Sequence, residues 1–457
     1  MISWRTTAVQ QSQGNFFVNV TARCETALHL LMTSAKRIVL ATHGTLGDVH
    51  PYLAIALELQ ARGHRPIIAT SEYHRRTIEA KGIEFHALRP DISFADKVLH
   101  QRLTEPKRGL ERVVREFMLP VLRMTYDDLL AIVEKDGGAD LIVSQILIFA
   151  APLVAEKTGV RWVSTELQPG AFMSAYDPPV LAPMPVLANF RRLGTTFHRV
   201  LFWAAKLKAR SWSEPVRRLR LELGLPRGRD ALFAGRNSTQ LVLALFSPEF
   251  AQAQPDWPAN TRTTGFPFYD ESNSNLDPEL TRLLGGEEPP LVFTLGSSAV
   301  WDAGNFYAES VAAAQKLEKP AVLLAGNNEC SQLTNLSRAK IVVASYAPYA
   351  QIFSRASTIV HHGGIGTTAQ ALRAGRPMLI MPFGGDQYDN GARVERLGVG
   401  RTIMRKHYTA ERVIAELRKL AGATYVAKAS SVGQRVQTED GVRTACNALE
   451  KVLGEAV

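Results

Sequence analysis

The sequence predicts an α/β protein built from two doubly wound, Rossmann-like parallel-sheet domains joined by one linker, and three observations carry that prediction. Runs of β-branched and aliphatic residues alternate with helical periodicity twice, over residues 36–246 and again from 291 onward. Each half has a glycine-rich turn between a strand and a helix: Gly44-Thr45-Leu46-Gly47 in the first, Gly363-Gly364-Ile365-Gly366 in the second. Between the halves, residues 247–290 are rich in Pro, Gly, Asn and Ser, as an interdomain connection would be. The 457 residues give room for two cores.

Residues 1–34 show no sustained periodicity and are expected to form a loosely ordered extension. The apolar run 27–32 is too short for a signal-peptide core, and Met32 is a candidate start of translation. Strand pattern begins at Lys36-Arg37-Ile38-Val39-Leu40-Ala41-Thr42, followed by a helix over 52–61 and a strand at 66–70, which together make a βαβ unit. A helix over 73–80, a strand at 84–87, helical periodicity over 103–134, a strand at 141–144, a helix over 150–157 and strands at 161–165 and 240–246 follow. In the second half, strands are expected at 291–295, 321–325, 341–344, 357–360, 377–381 and 400–404, with helical pattern over 410–453. The domain boundaries read as 35–264, a linker at 265–290, and 291–457, with the last helix packing back on the first domain.

His361-His362-Gly363-Gly364-Ile365-Gly366-Thr367-Thr368 lies where a strand ends and a helix begins. Unpaired N–H groups and the positive end of the helix dipole make such a turn an anion site, most naturally for a phosphate or diphosphate. His362, Thr367 and Thr368 add side-chain donors there, although either threonine could instead cap the helix.

Cys24, Cys330 and Cys446 are far apart, which indicates neither a disulfide framework nor a zinc site and suits a reducing cytoplasm. The excess charge of +10 is concentrated: residues 191–229 hold eleven Lys/Arg against Glu214 and Glu222, interleaved with Phe197, Trp203 and Trp212. This pattern fits helices with a solvated basic face, or a surface that meets anionic lipid or an amphiphilic substrate. No nucleic-acid recognition motif accompanies the charge.

Four motifs in order resemble the GT-B glycosyltransferases that include macrolide, glycopeptide, sterol and plant secondary-metabolite enzymes, with the bacterial branch that transfers rhamnose to lipid acceptors as the nearest match. They are Gly44 to Pro51, Gln254-Pro255-Asp256-Trp257-Pro258 with Thr264-Gly265-Phe266-Pro267, Phe293-Thr294-Leu295-Gly296-Ser297, and His362 to Thr367 with Pro382-Phe383-Gly384-Gly385-Asp386-Gln387. The resemblance covers residues 36–453 and implies a C-terminal domain that binds a nucleotide-diphosphate sugar and an N-terminal domain that binds the acceptor, the two facing a cleft. It implies Asp48 as general base, against a competing reading as N-cap of a helix beginning near Pro51. It places His362, Gly364, Gly366, Thr367 and Ser297 on the diphosphate, Tyr346 at the base, and Asp386 and Gln387 on the sugar hydroxyls. His43 and His50 flank Asp48, where they would tune it or line the acceptor pocket. Plant members carry a ribose-gripping glutamate where this chain has Gln370, so the donor is left open between dTDP- and UDP-hexoses.

The resulting expectation is inverting transfer, without metal or other cofactor, to a hydrophobic or lipid-like acceptor by a cytoplasmic protein able to meet the inner face of an anionic membrane. A sugar-nucleotide epimerase on the same fold, or a non-catalytic nucleotide-sugar or lipid-binding protein, are the alternatives. A nicotinamide oxidoreductase fits poorly, because Gly364-Ile365-Gly366 lacks the third spaced glycine of the dinucleotide fingerprint.

Overall fold

The computed structural model describes residues 35–92, 101–103, 105–182, 184–271, 276–326, 333 and 340–454. The expected extension 1–34 lies outside them. The first half is a seven-stranded parallel sheet in the order β3-β2-β1-β4-β5-β6-β7. Its strands are β1 Arg37–Ala41, β2 Arg65–Thr70, β3 Glu84–Ala87, β4 Leu141–Gln145, β5 Arg161–Glu166, β6 Leu241–Ala244 and β7 Thr261–Thr263. The second half is six-stranded and also parallel, in the order β10-β9-β8-β11-β12-β13. These are β8 Leu291–Thr294, β9 Ala321–Leu324, β10 Ile341–Ala344, β11 Thr358–His361, β12 Met378–Ile380 and β13 Gly400–Thr402. Every residue of β1, β4, β8, β9 and β11 is buried. Helices cover both sheet faces, which is why these strands read as continuous apolar runs and not as alternating ones.

The helices used below are α1 Leu46–Ala61, α2 Leu122–Glu134, α3 Ala151–Thr158, α4 Gly194–Ala209, α5 Phe306–Lys316, α6 Ile365–Arg373, α7 Gln387–Leu397, α8 Ala410–Leu420, α9 Ala423–Gln437 and α10 Gly441–Gly454. Three differ from the sequence reading. Helix α1 starts at Leu46, six residues before the expected position, with Pro51 inside it. The periodic stretch 103–134 breaks into Gly109–Arg112, a π-helical turn Val113–Met118 and α2, with a turn at 119–121. Pro120 sits in that turn and supplies no N–H to carry a helix through it. The periodicity over 410–453 is three helices, α8, α9 and α10.

The proline-rich connection contains structure of its own. Strand β7 extends the first sheet, and the helix Pro278–Leu284, capped by Asp277, buries Leu280, Leu283 and Leu284. The chain crosses between the halves twice. Helix α10 returns to the first half, where Ala445, Cys446 and Leu449 join the core formed by Ile38, Leu53 and Ile55. At the crossing, a Cβ on Gly441 would come within 2.5 Å of the Phe266 carbonyl, so only glycine lets the two segments touch.

Strand order reverses between β1 and β4 in the first sheet and between β8 and β11 in the second. Loops at such switch points open a crevice beyond the strand ends, where open α/β sheets bind ligands. Among the described residues, no helix is long and apolar enough to cross a membrane.

Candidate active site

The two switch points face each other. Beyond β1, Gly44 adopts φ +138°, and a Cβ there would lie 2.0 Å from Asp48 Oδ2, so the carboxylate occupies the space that a side chain would need. Asp48 is the third residue of α1 and closes a capping box: its Oδ2 accepts from the Thr45 N–H at 2.9 Å. Its Oδ1 accepts from Gln145 Nε2 at 3.0 Å, and Gln145 Oε1 accepts from the His43 N–H at 3.1 Å. Gln145 ends β4, the strand next to β1 across the switch point. Burial pushes the Asp48 carboxyl up to about 7, the Asp386 carboxylate adds to the shift, and the Thr45 and Gln145 hydrogen bonds hold it back.

Asp48 is therefore not the N-cap of a helix near Pro51: the helix starts at Leu46, its N-cap is Thr45, and Asp48 answers that cap from inside the first turn. That placement does not compete with a chemical role, because a capping carboxylate at a cleft still presents a face to a ligand.

Three imidazoles lie around this part of the first domain, and burial lowers each of them. His43 is buried with Nε2–H donating to the Arg89 carbonyl at 3.2 Å, and burial brings it down to about 4. That hydrogen bond ties the His43 ring to the 89–90 loop. His50 packs on Tyr269 with ring centroids 4.9 Å apart and is likewise lowered to about 4 by burial. His74, which the sequence reading missed, donates to the Gly44 carbonyl at 3.0 Å and is also lowered by burial.

Across the cleft, β11 ends at His361 and Gly363 turns at φ +90° into α6. The His362 ring is wedged between two glycines: a Cβ on Gly296 would lie 2.6 Å from its Cε1, and one on Gly364 would lie 2.3 Å from its Nε2. It is thus buried beside the first turn of α6, against the turn that follows β8. Gly364 is the N-cap of α6 and offers no side-chain cap. Thr368 is spent inside the helix, its hydroxyl donating to the Gly364 carbonyl at 2.9 Å. Thr367 lies beside Tyr349, whose hydroxyl contacts Thr294 Oγ1 at 3.0 Å. Ser297 belongs to the short helix Gly296–Ala299, and its side chain lies outside the described residues.

The two helix starts nearly touch: a Cβ on Gly366, second residue of α6, would be 3.5 Å from the Cα of Gly47, second residue of α1. Two helix N-termini converge there, with the Asp48 carboxylate on one and the Asp386 carboxylate on the Ile365 N–H of the other.

Asp386 and Gln387, read as a pair, have separate tasks. Asp386 stands at the start of α7, accepts from Asn390 Nδ2 at 2.7 Å and is raised to about 6, chiefly by burial. Gln387 Oε1 instead accepts from the N–H groups of Phe383 at 2.7 Å and Gly384 at 3.3 Å. Its carbonyl is consumed in pinning the loop, because those two N–H groups have no strand to pair with. At the far end of α6, Gln370 Oε1 accepts from Arg373, whose guanidinium forms a bidentate pair with Asp270 at 2.8 and 2.6 Å. Tyr346 is half exposed and donates to Glu271 at 3.2 Å. Linker carboxylates therefore stand beside both residues assigned to the nucleoside.

Helix α7 also docks on the first half. Asp389 accepts from the Val180 N–H at 3.0 Å and from Arg393 Nε at 2.7 Å, and Arg393 reaches Asp177. Nearby, a cavity of about 350 Å³ is lined by Pro179, Val180, Leu201, Phe202, Arg191 and Arg396. Among the described residues, no group of three or more His, Cys, Asp or Glu is placed to hold a metal ion.

Comparison with known proteins agrees with this layout. Residues 38–175 match the glycosyltransferase family 28 N-terminal domain, and residues 308–443 match the erythromycin biosynthesis protein CIII-like C-terminal domain. The chain is 30% identical over 428 residues to an O-mycaminosyltylonolide 6-deoxyallosyltransferase of Streptomyces fradiae, covering 91% of this chain and 97% of that protein. It is 28% identical over 452 residues to a sterol 3-beta-glucosyltransferase of Neurospora crassa, spanning 94% of this chain but only 28% of that longer protein. Among solved structures, the calicheamicin glycosyltransferase CalG4 superposes with TM-score 0.67 at 17% identity, covering 92% of this chain and 99% of that one. The glycosyltransferase VinC in complex with dTDP gives 0.65 at 18%, covering 91% and 99%.

Proposed function

The chain belongs to the GT-B nucleotide-sugar glycosyltransferases, and on that premise we propose that it transfers a hexose from a dTDP- or UDP-sugar to a hydroxyl of a hydrophobic acceptor, with inversion and without a metal. One observation carries the reading. Asp48 at the start of α1 and Asp386, whose carboxylate accepts from the Ile365 N–H, stand on either side of the α6 start, where Gly47 and Gly366 come close together.

The assigned chemistry follows from that geometry. The donor diphosphate lies at the α6 N-terminus, where the N–H groups of Gly366 and Thr367 and the imidazole of His362 meet its charge. Negative charge grows on the leaving diphosphate as its bond to the anomeric carbon breaks, so these donors bind the transition state more strongly than the ground state. The acceptor hydroxyl attacks from the Asp48 side, opposite the leaving group, and a single displacement inverts the anomeric centre. Asp48 takes the hydroxyl proton. With a carboxyl raised to about 7, it is a stronger base than an ordinary aspartate while still ionised in large part at neutral pH. Asp386, raised to about 6, accepts hydrogen bonds from the sugar hydroxyls. Helix ends and hydroxyls supply the leaving-group stabilisation that a divalent cation gives elsewhere, which supports a metal-free reaction.

The apolar cavity between the 178–181 loop, α4 and α7 supports a hydrophobic acceptor. The relatives named for tylosin-type and sterol substrates accord with such a molecule. The basic stretch 191–229 accords with its supply at the inner face of a membrane. The test is transfer with purified protein, dTDP- and UDP-hexoses, and hydroxy-fatty, macrolide and sterol acceptors, with and without EDTA. Transfer that is abolished by EDTA, or that retains the anomeric configuration, overturns the proposed mechanism. Donor turnover to free sugar with no acceptor would favour an epimerase instead.

A further inference from the structure

Helix α4 presents two apolar faces. The inner one packs His198 and Phe202 into the protein and lends Leu201 to the interdomain cavity. The outer one is a single stripe at helical spacing, Phe197, Val200, Trp203 and Leu207, exposed by 37%, 60%, 64% and 54%. Phe190 and Leu193 continue it before the helix begins and are exposed as well. An isolated exposed leucine needs no explanation, but a contiguous aromatic and aliphatic stripe marks a surface that something covers.

The charges around the stripe say what. No Asp or Glu occurs between Asp177 and Glu214. Arg192, Arg199, Lys206, Lys208 and Arg210 flank the stripe, and among the described residues none of these five forms an ion pair with a carboxylate. Other cations of the same stretch are committed: Arg191 pairs with Asp177, Arg217 and Arg218 with Glu214, and Arg220 with Glu156. Arg199 is held over the Tyr176 ring and Lys206 over Phe233, which splays them to the side of the helix and leaves their charge unneutralised.

We propose that the outer face of α4 is a docking surface for an anionic lipid bilayer, with the stripe entering the headgroup boundary and the flanking cations meeting lipid phosphates. Charge complementarity selects this occupant over a second copy of the chain, because two such faces would bring uncompensated cations together. The proposal stands apart from the glycosyl-transfer reading, and its test uses no sugar nucleotide.

The experiment is co-sedimentation of the full chain with phosphatidylcholine vesicles, with and without phosphatidylglycerol, at low ionic strength. Binding is expected to the anionic vesicles only and to be released by high salt. A Val200→Glu/Leu207→Glu double variant changes only exposed positions, so its circular dichroism and melting stay as in the parent while its vesicle affinity falls by about tenfold or more. Trp203→Phe keeps binding but loses the blue shift of tryptophan emission that insertion produces. Three results would overturn the proposal: no binding to anionic vesicles at low salt, unchanged binding by the double variant, or self-association that the double variant abolishes in a protein that ignores vesicles.

Discussion

Helices α1 and α6 begin in the same way, after a buried strand and a glycine turn at a switch point of their sheets, yet the carboxylate that meets each start comes from a different place. Helix α1 caps itself: the Asp48 carboxylate accepts from the Thr45 N–H, and the Thr45 side chain accepts from the Asp48 N–H. Helix α6 starts on Gly364, which has no side chain, and its Ile365 N–H is met from outside by the Asp386 carboxylate at the start of α7. A helix start that supplies its own carboxylate holds it by local geometry, and one that borrows a carboxylate from another helix depends on the fold to bring it. Set nearly in contact, the pair brings the Asp48 carboxylate beside the start of α6, and on that closeness rests the proposed division into a base on one side and a diphosphate cradle on the other.

The largest expected effect separates the two roles. Asp48→Asn should lower the transfer rate by about 10²- to 10⁴-fold while leaving nucleoside diphosphate affinity within about twofold by calorimetry. Equal losses in both would mean that α1 and α6 do not divide the work as described. Gly364→Ala should do the reverse. Its methyl group drives into the His362 imidazole, so diphosphate affinity should fall by about tenfold or more, with a stability loss of about 1 to 3 kcal/mol by thermal melting.

A smaller effect tests how Asp48 is held. Gln145→Leu removes the Nε2–H that favours the ionised carboxylate, so the rising limb of the pH–rate profile, expected near pH 7 in the parent, should move upward, with kcat lower by about tenfold. An unmoved limb would make Gln145 a packing residue. The smallest effect is on stability. A carboxyl raised from 3.8 to about 7 by folding binds its proton more tightly in the native state, so it costs stability as pH rises through that window. The stability of Asp48→Asn relative to the parent should therefore rise as pH goes from about 4 to 8 and show no such trend below pH 4, by melting at each pH.

Much of this was legible in the residues themselves. Parallel strands buried on both faces read as apolar runs, so Ile38 to Ala41 and Thr358 to Val360 stand out without any structure. The position of the α6 start after a glycine turn followed from Gly363, Gly364 and the helix formers after them. The start of α1 was misplaced because Gly47 and Pro51 look like turn residues, and the capping box that draws them into a helix closes with an aspartate instead of the usual glutamate or glutamine.

What only the tertiary structure decided is what comes from far away along the chain. Gln145 is 97 residues from Asp48, and no local pattern links an amide at the end of one strand to a carboxylate beyond another. Asp389 and Arg393 look like a solvated pair one helical turn apart, and become a buried interdomain contact only because Asp177 and Val180 pack over them. The sequence by itself determined the two sheets, their glycine turns and the sign of the charge each helix start attracts, because these depend on neighbours in the chain. The raised carboxyl of Asp48 and the near contact of Gly47 with Gly366 depend on burial and on the meeting of two domains, and only the fold brings those about.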